Sequence, residues 1–186
     1  SRKIRNYLQI SNKLFVQNNV KNENKVGYFK TELIQPISPI YFNNKEKTSA
    51  LISICSLLNI LLPEAQPYEN IYNSFEKFIK TLSLNDWIIP YIFFEINLIK
   101  ELGYDTNLQI HNETNLELDG LKKVKIDEFS YEVPNYLIKK KIPITLDKKI
   151  IKKSLNFTKF VLLNKFFIPN KLIFPKSRII LENYFN

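Results

Sequence analysis

Side chains able to do chemistry are scarce in this 186-residue chain. It holds one histidine, His111, one cysteine, Cys55, and only three glycines. A structural zinc takes four nitrogen or sulfur ligands. A hydrolytic triad needs a histidine oriented by an acid, and a phosphate-cradling loop needs glycines in series. No such set is present, so no catalytic residue, metal ligand or cofactor is expected, and the chain reads as a non-enzyme. Glu95 is the one acid inside an otherwise apolar run. Its expected role is to pair with a lysine or cap a neighbouring backbone group. Cys55 falls on the apolar face of a helical pattern and is expected in the core, and His111 in an exposed loop.

The abundant chemistry is cationic. Net charge is +9, which favours nucleic acid or another polyanion as partner. Arg2, Arg5 and Arg178 are the only arginines among 27 cationic residues, and asparagine, isoleucine and lysine are plentiful throughout. AT-rich coding imposes that same bias, so charge alone does not decide the partner. The lysines and arginines gather at Arg2-Lys3-Arg5, Lys122-Lys123-Lys125, Lys139-Lys140-Lys141, and Lys148-Lys149 with Lys152-Lys153. Phosphates need cations, and unpaired bases need flat surfaces on which to stack. The first cluster has Tyr7 and Phe15 close by and best fits single-strand binding. The candidate DNA-binding residues are therefore Arg2, Lys3, Arg5 and Lys13, extended by Lys148, Lys149 and Lys152 on the polar side of an amphipathic helix.

These residues must be positioned by an α+β chain. Residues 1–39 read as β, with one short strand at Leu14, Phe15 and Val16 and another over 26–34, joined by a polar loop. From Tyr41 the pattern is helical. Thr48 or Ser49 is expected to cap a helix bearing Leu51, Ile54, Cys55, Leu58 and Leu61, which Pro63 ends. A second helix follows from about Pro67. The third, over 86–102, is apolar nearly all round, as a helix with neighbours on several sides must be. Asp86 is expected to cap it, Pro90 lies in its first turn, and Gly103 stops it. Residues 104–134 show no convincing period, with a weak hairpin expected around Asp119-Gly120. Helical pattern returns at 135–141 and again from Asp147 to Pro169, and a terminal helix begins after Pro175. One cysteine excludes an internal disulfide and suits a reducing cytoplasm. No apolar run reaches the ~18 residues of a membrane span, and no secretory signal opens the chain.

The stretch Phe94-Glu95, a run of aliphatics, then Glu101-Leu102-Gly103-Tyr104 resembles the core signature of the bacterial RecO DNA-repair family. Leu62-Pro63-Glu64 with Pro67 and Ile71-Tyr72 is similar to the family's junction between helices. Tyr28-Phe29-Lys30-Thr31-Glu32-Leu33 is similar to its last strand before the helical domain, and Phe157 through Phe174-Pro175-Lys176-Ser177-Arg178 to its closing helix pair. The resemblance implies part of an OB-fold β-barrel over 1–40 and a helical C-terminal domain over 41–186. The absence of methionine fits a fragment missing the front half of that barrel. His111 stands where zinc-binding members commonly have a cysteine, and no cysteine follows it. The implied function is recombination mediation: annealing single-stranded DNA and assisting recombinase loading. The implied partners are single- and double-stranded DNA, RecR and the acidic C-terminal tail of single-stranded DNA-binding protein, in the bacterial cytoplasm at the nucleoid. The rival reading is a helical protein–protein adaptor without intrinsic DNA binding.

Overall fold

The computed structural model describes residues 7–20, 27–104, 117–118, 120–126, 128–143 and 145–186. Two strands open it, β1 (Lys13–Asn19) and β2 (Tyr28–Gln35), paired antiparallel with Leu14 opposite Leu33 and Val16 opposite Thr31. Phe15, Val16, Tyr28, Phe29, Leu33 and Ile34 are each 42–67% exposed, so neither face of this ribbon has a core of its own. Such a ribbon depends on its anchors for stability. Lys13 Nζ reaches Glu76 at 2.8 Å, and the Asn12 carboxamide oxygen accepts from the Ile37 and Ser38 amides at 2.8 and 3.1 Å. The described strands close no barrel: they form two separate two-stranded sheets.

The helices are α1 (Lys45–Leu61), α2 (Glu69–Thr81), α3 (Ile88–Glu101), the short α4 (Asn135–Lys139), α5 (Lys148–Leu162) and α6 (Lys176–Asn183). Helix α1 packs on α6, α2 on α3, and α3 on α5. Helix α3 is the central one, burying Ile88, Ile89, Tyr91, Ile92, Phe94, Glu95, Leu98 and Ile99. Its end follows from local chemistry. Gly103 sits at φ +89°, letting its amide reach the Lys100 carbonyl and the Tyr104 amide reach Ile99.

Two expected caps differ. Helix α1 starts a turn early: the Asn44 side chain accepts from the Lys47 amide, while the Thr48 hydroxyl donates to the Tyr41 carbonyl. Asp86 lies in a turn ahead of α3 and makes no side-chain cap, its carbonyl accepting from the Ile89 amide instead. At α5 the expectation holds, with Asp147 accepting from the Lys149 amide at 3.2 Å.

The expected hairpin also moves. Strands β3 (Leu121–Ile126) and β4 (Phe129–Pro134) pair antiparallel, with Lys123 opposite Glu132 and Ile126 opposite Phe129. The turn therefore falls between Ile126 and Phe129, and Gly120 precedes the first strand; Asp119 lies outside the described residues. Gly120 lies so close to Asn135 that a Cβ there would meet the carboxamide nitrogen at 2.7 Å. The hairpin rests on α5 through Tyr131, whose ring stacks on Phe160 with centroids 3.8 Å apart. Helix α5 continues into a π turn, Leu163–Phe167, before the chain reverses at Lys171.

Candidate nucleic-acid interface

Glu95 can be assessed first, because an acid in an apolar helix is where catalysis would be sought. It is fully buried, yet every part of its carboxylate is occupied. Arg178 donates through Nε to one oxygen at 2.5 Å and through a terminal nitrogen to the other at 3.1 Å. Tyr91 donates to the first oxygen at 2.8 Å and Thr158 to the second at 2.5 Å. Arg178 also reaches the Leu155 carbonyl at 2.9 Å and Glu182 at 3.4 Å. Burial alone would lower the Arg178 pKa, but Glu95, Tyr91 and Glu182 outweigh it and hold the guanidinium charged. Burial, followed by the Glu95 charge, pushes the Tyr91 phenol well above its ordinary value. A carboxylate with four donors has no lone pair left for a substrate. The group joins α3, α5 and α6, and through Ser53, 2.7 Å from the Tyr91 oxygen, α1 as well. Its role is structural, and the expected lysine partner proves to be an arginine from the last helix.

The surface has the opposite character. Lys148, Lys149, Lys152 and Lys153 fall within the first six residues of α5, three of them exposed. That is the positive end of the helix dipole, where cations are disfavoured. Asp147 is the local counterweight at the N-cap. The structure then adds to this cluster from elsewhere. Lys153 forms an ion pair with Glu132 on β4, and Lys123, across the hairpin from Glu132, joins Lys149 in acting on the same carboxylate. The hydrogen bond and charge of Lys153, aided by Lys123 and Lys149, hold Glu132 below its ordinary 4.5. The second and fourth basic clusters of the sequence thus meet around Glu132.

A groove of about 250 Å³ runs beside it, lined by Ser130, Tyr131, Glu132, Lys153, Asn156 and Phe157. Past its far end stands Phe129, 56% exposed, with its ring edge-on to Phe160 at 5.7 Å. On α5, Lys149 and Lys153 lie in line with Asn156 and Phe160, which meets Tyr131 and Phe129, while Lys123 and Lys125 lie on the opposite side of the hairpin from those two rings.

The other candidates fall differently. Lys13 is only partly exposed and spends its charge on Glu76, with the Tyr72 ring 5.8 Å away. Hydrogen bonds from Lys13 to Glu76 and then to Tyr72 raise its pKa, so it stays charged. Arg2, Lys3, Arg5 and His111 lie outside the described residues. Cys55 is half-buried, its sulfur 3.4 Å from the Ser11 hydroxyl, and burial raises its pKa. Among the described residues no three of His, Cys, Asp and Glu gather as a metal site would require, and no helix is long and apolar enough to cross a membrane. Sequence reasoning missed that Lys123 lies near the α5 cluster through Glu132, and that Phe129 and Tyr131 pack on the same helix. The available signal was the alternation Lys123, Lys125 against Val124, Ile126, which marks a strand with one charged side.

Comparison with known proteins bears on most of the chain. Residues 43–122, which span α1 to α3 and the start of β3, match the family described as Recombination protein O C terminal. The DNA repair protein RecO of Wolbachia sp. subsp. Drosophila simulans (strain wRi) is 33% identical over 102 residues, covering 54% of this chain and 42% of that protein. These matches support the RecO family for this chain. The RecO of Rickettsia felis is 30% identical over 139 residues, 67% of this chain and 58% of its own. That of Rickettsia canadensis is 29% identical over 166 residues, 82% of this chain and 65% of its own. The chain therefore spans between about two fifths and two thirds of these RecO relatives. The α+β class expected from the sequence agrees with the mixed helices and strands observed.

Proposed function

We propose that this chain is the helical part, with the last strands of an OB-fold barrel, of a non-enzymatic DNA-repair protein that binds and anneals single-stranded DNA. The observation that carries the reading is the RecO match across the central helices, extended by relatives named for DNA repair along most of the chain. The apolar ribbon β1–β2, exposed on both faces, is consistent with further strands completing a barrel. The lysine-rich face of α5 and β3 supplies what annealing requires. Two complementary strands repel through their phosphates, and a cationic surface that neutralises both brings them together without demanding a sequence. In this reading the protein acts in the bacterial cytoplasm at the nucleoid. It engages single- and double-stranded DNA, works with RecR to load recombinase, and docks the acidic tail of single-stranded DNA-binding protein.

The test is annealing of complementary labelled strands, with single-strand affinity followed against salt. Replacing Arg2, Lys3 and Arg5 by Ala is expected to lower the slope of log affinity against log salt by roughly 2, at ~0.7 per phosphate contact. The loss should be alike for unrelated sequences, because phosphates carry no base identity. Absence of salt-dependent binding and of annealing by the whole protein would favour the adaptor reading, for which the exposed apolar ribbon is the supporting observation.

A further inference from the structure

We infer that the β3–β4 hairpin and α5 form a single-strand subsite in which Lys149 holds a phosphate and Phe129 is the platform on which a base stacks. The inference rests on the DNA-binding reading above and gives it a location. Its parts lie in a line. Lys149 and Lys153 stand one turn apart on α5, followed by Asn156 and Phe157 at the groove and Phe160 at its end. Alongside, β4 runs from Glu132, paired with Lys153, through Tyr131, stacked on Phe160, to the exposed Phe129. From Lys149 to Phe160 the helix rises about 16 Å, long enough for several nucleotides. Charge at one end and an open ring at the other is the combination that single strands need, since every base has a flat face.

The ring is set for the task. Tyr131 packs on Phe160 with the ring planes tilted by 31°, and Phe160 meets Phe129 edge-on, so Phe129 is braced on one side while more than half of it stays open. Glu132 sits among the cations and competes with an incoming phosphate for Lys153. It therefore limits affinity and keeps the surface from holding anions too firmly.

The experiment follows binding of the 186-residue chain to a fluorescein-labelled oligothymidylate by anisotropy across a salt series, with inorganic polyphosphate as a base-free probe. Phe129→Leu is expected to weaken oligothymidylate binding roughly five- to a hundredfold, leaving the salt slope and polyphosphate binding unchanged. Phe129→Trp should retain affinity. Lys149→Ala should lower the slope by about 0.7, and Glu132→Gln should tighten both probes. Oligothymidylate bound as well by Phe129→Leu as by the unaltered chain overturns the platform, as does an equal loss for both probes. If that variant melts at a lower temperature, photocrosslinking of the unaltered chain to a 5-iodouracil oligonucleotide decides. Adducts on Phe129 or Tyr131 support the subsite, and adducts confined to other segments overturn it. Binding that survives every substitution removes the subsite but leaves the DNA reading standing. A chain that binds no oligothymidylate removes both.

Discussion

Helix α5 turns one side to Arg178 and another to solvent, and charge is handled differently on the two. Inside, the Leu155 carbonyl and the Thr158 hydroxyl meet a guanidinium and a carboxylate that are both 0% exposed. Removal from water is costly for each ion and is offset only by complete pairing. That explains an arginine there, because its planar fork serves both oxygens of Glu95 and still reaches a backbone carbonyl. Outside, Lys148, Lys149 and Lys152 stay hydrated at the helix end that repels them, with Glu132 and Asp147 as nearby anions. The inner charges are satisfied and hold the fold. The outer ones are left in excess at the surface.

The largest expected effect lies inside. Arg178→Ala or Glu95→Ala should each cost ~3–5 kcal/mol in denaturant unfolding, because the survivor is left buried and unpaired. Replacing both together by Met and Leu should recover much of that loss, and a double variant no better than the singles would break the account of the pair. Phe94→Ala, in the same core at 1% exposure, should cost a similar ~3–5 kcal/mol through its cavity; a loss under about 1 kcal/mol would remove it from the packed centre.

Outside, Lys149→Ala and Lys152→Ala should change stability by no more than ~0.5 kcal/mol, with a slight gain favoured by the helix dipole. A loss near that of Arg178→Ala would erase the distinction between the two sides. The smallest effect is the titration of Glu132. Its folded pKa is depressed by Lys153, so its favourable contribution is present above the unfolded value near 4.5 and is lost as pH falls through the lower folded value. A carboxyl resonance titrating below 4.5, and returning toward it in Lys153→Ala, is the expected outcome. A midpoint at or above 4.5 in the unaltered chain would place the ion pair in doubt.

Features governed by a few neighbouring residues were legible before the structure. The apolar circumference of α3, its stop at Gly103 and the Asp147 cap depend on chemistry within a turn or two of themselves. The start of α1 was misplaced although it too is local, because Asn44, Thr48 and Ser49 all have oxygens able to cap, and only the path through Tyr41 selects Asn44. The β3–β4 turn was misplaced because a glycine draws a turn assignment, whereas here Gly120 serves a close approach to Asn135.

The sequence by itself determined which segments are helical, that their apolar faces form a core, that the chain resembles RecO, and that lysine dominates its charged residues. Tertiary structure alone decided which charges meet. Glu95 and Arg178 are 83 residues apart, and nothing local says that this arginine turns inward while its lysine neighbours stay wet. Lys123 and Lys149 share one carboxylate only because Tyr131 stacks on Phe160 and lays the hairpin against α5. Periodicity reports burial, which each residue expresses through its own place on a helix or strand. Pairing depends on the docking of distant elements, and that docking is fixed by the shape of the whole core.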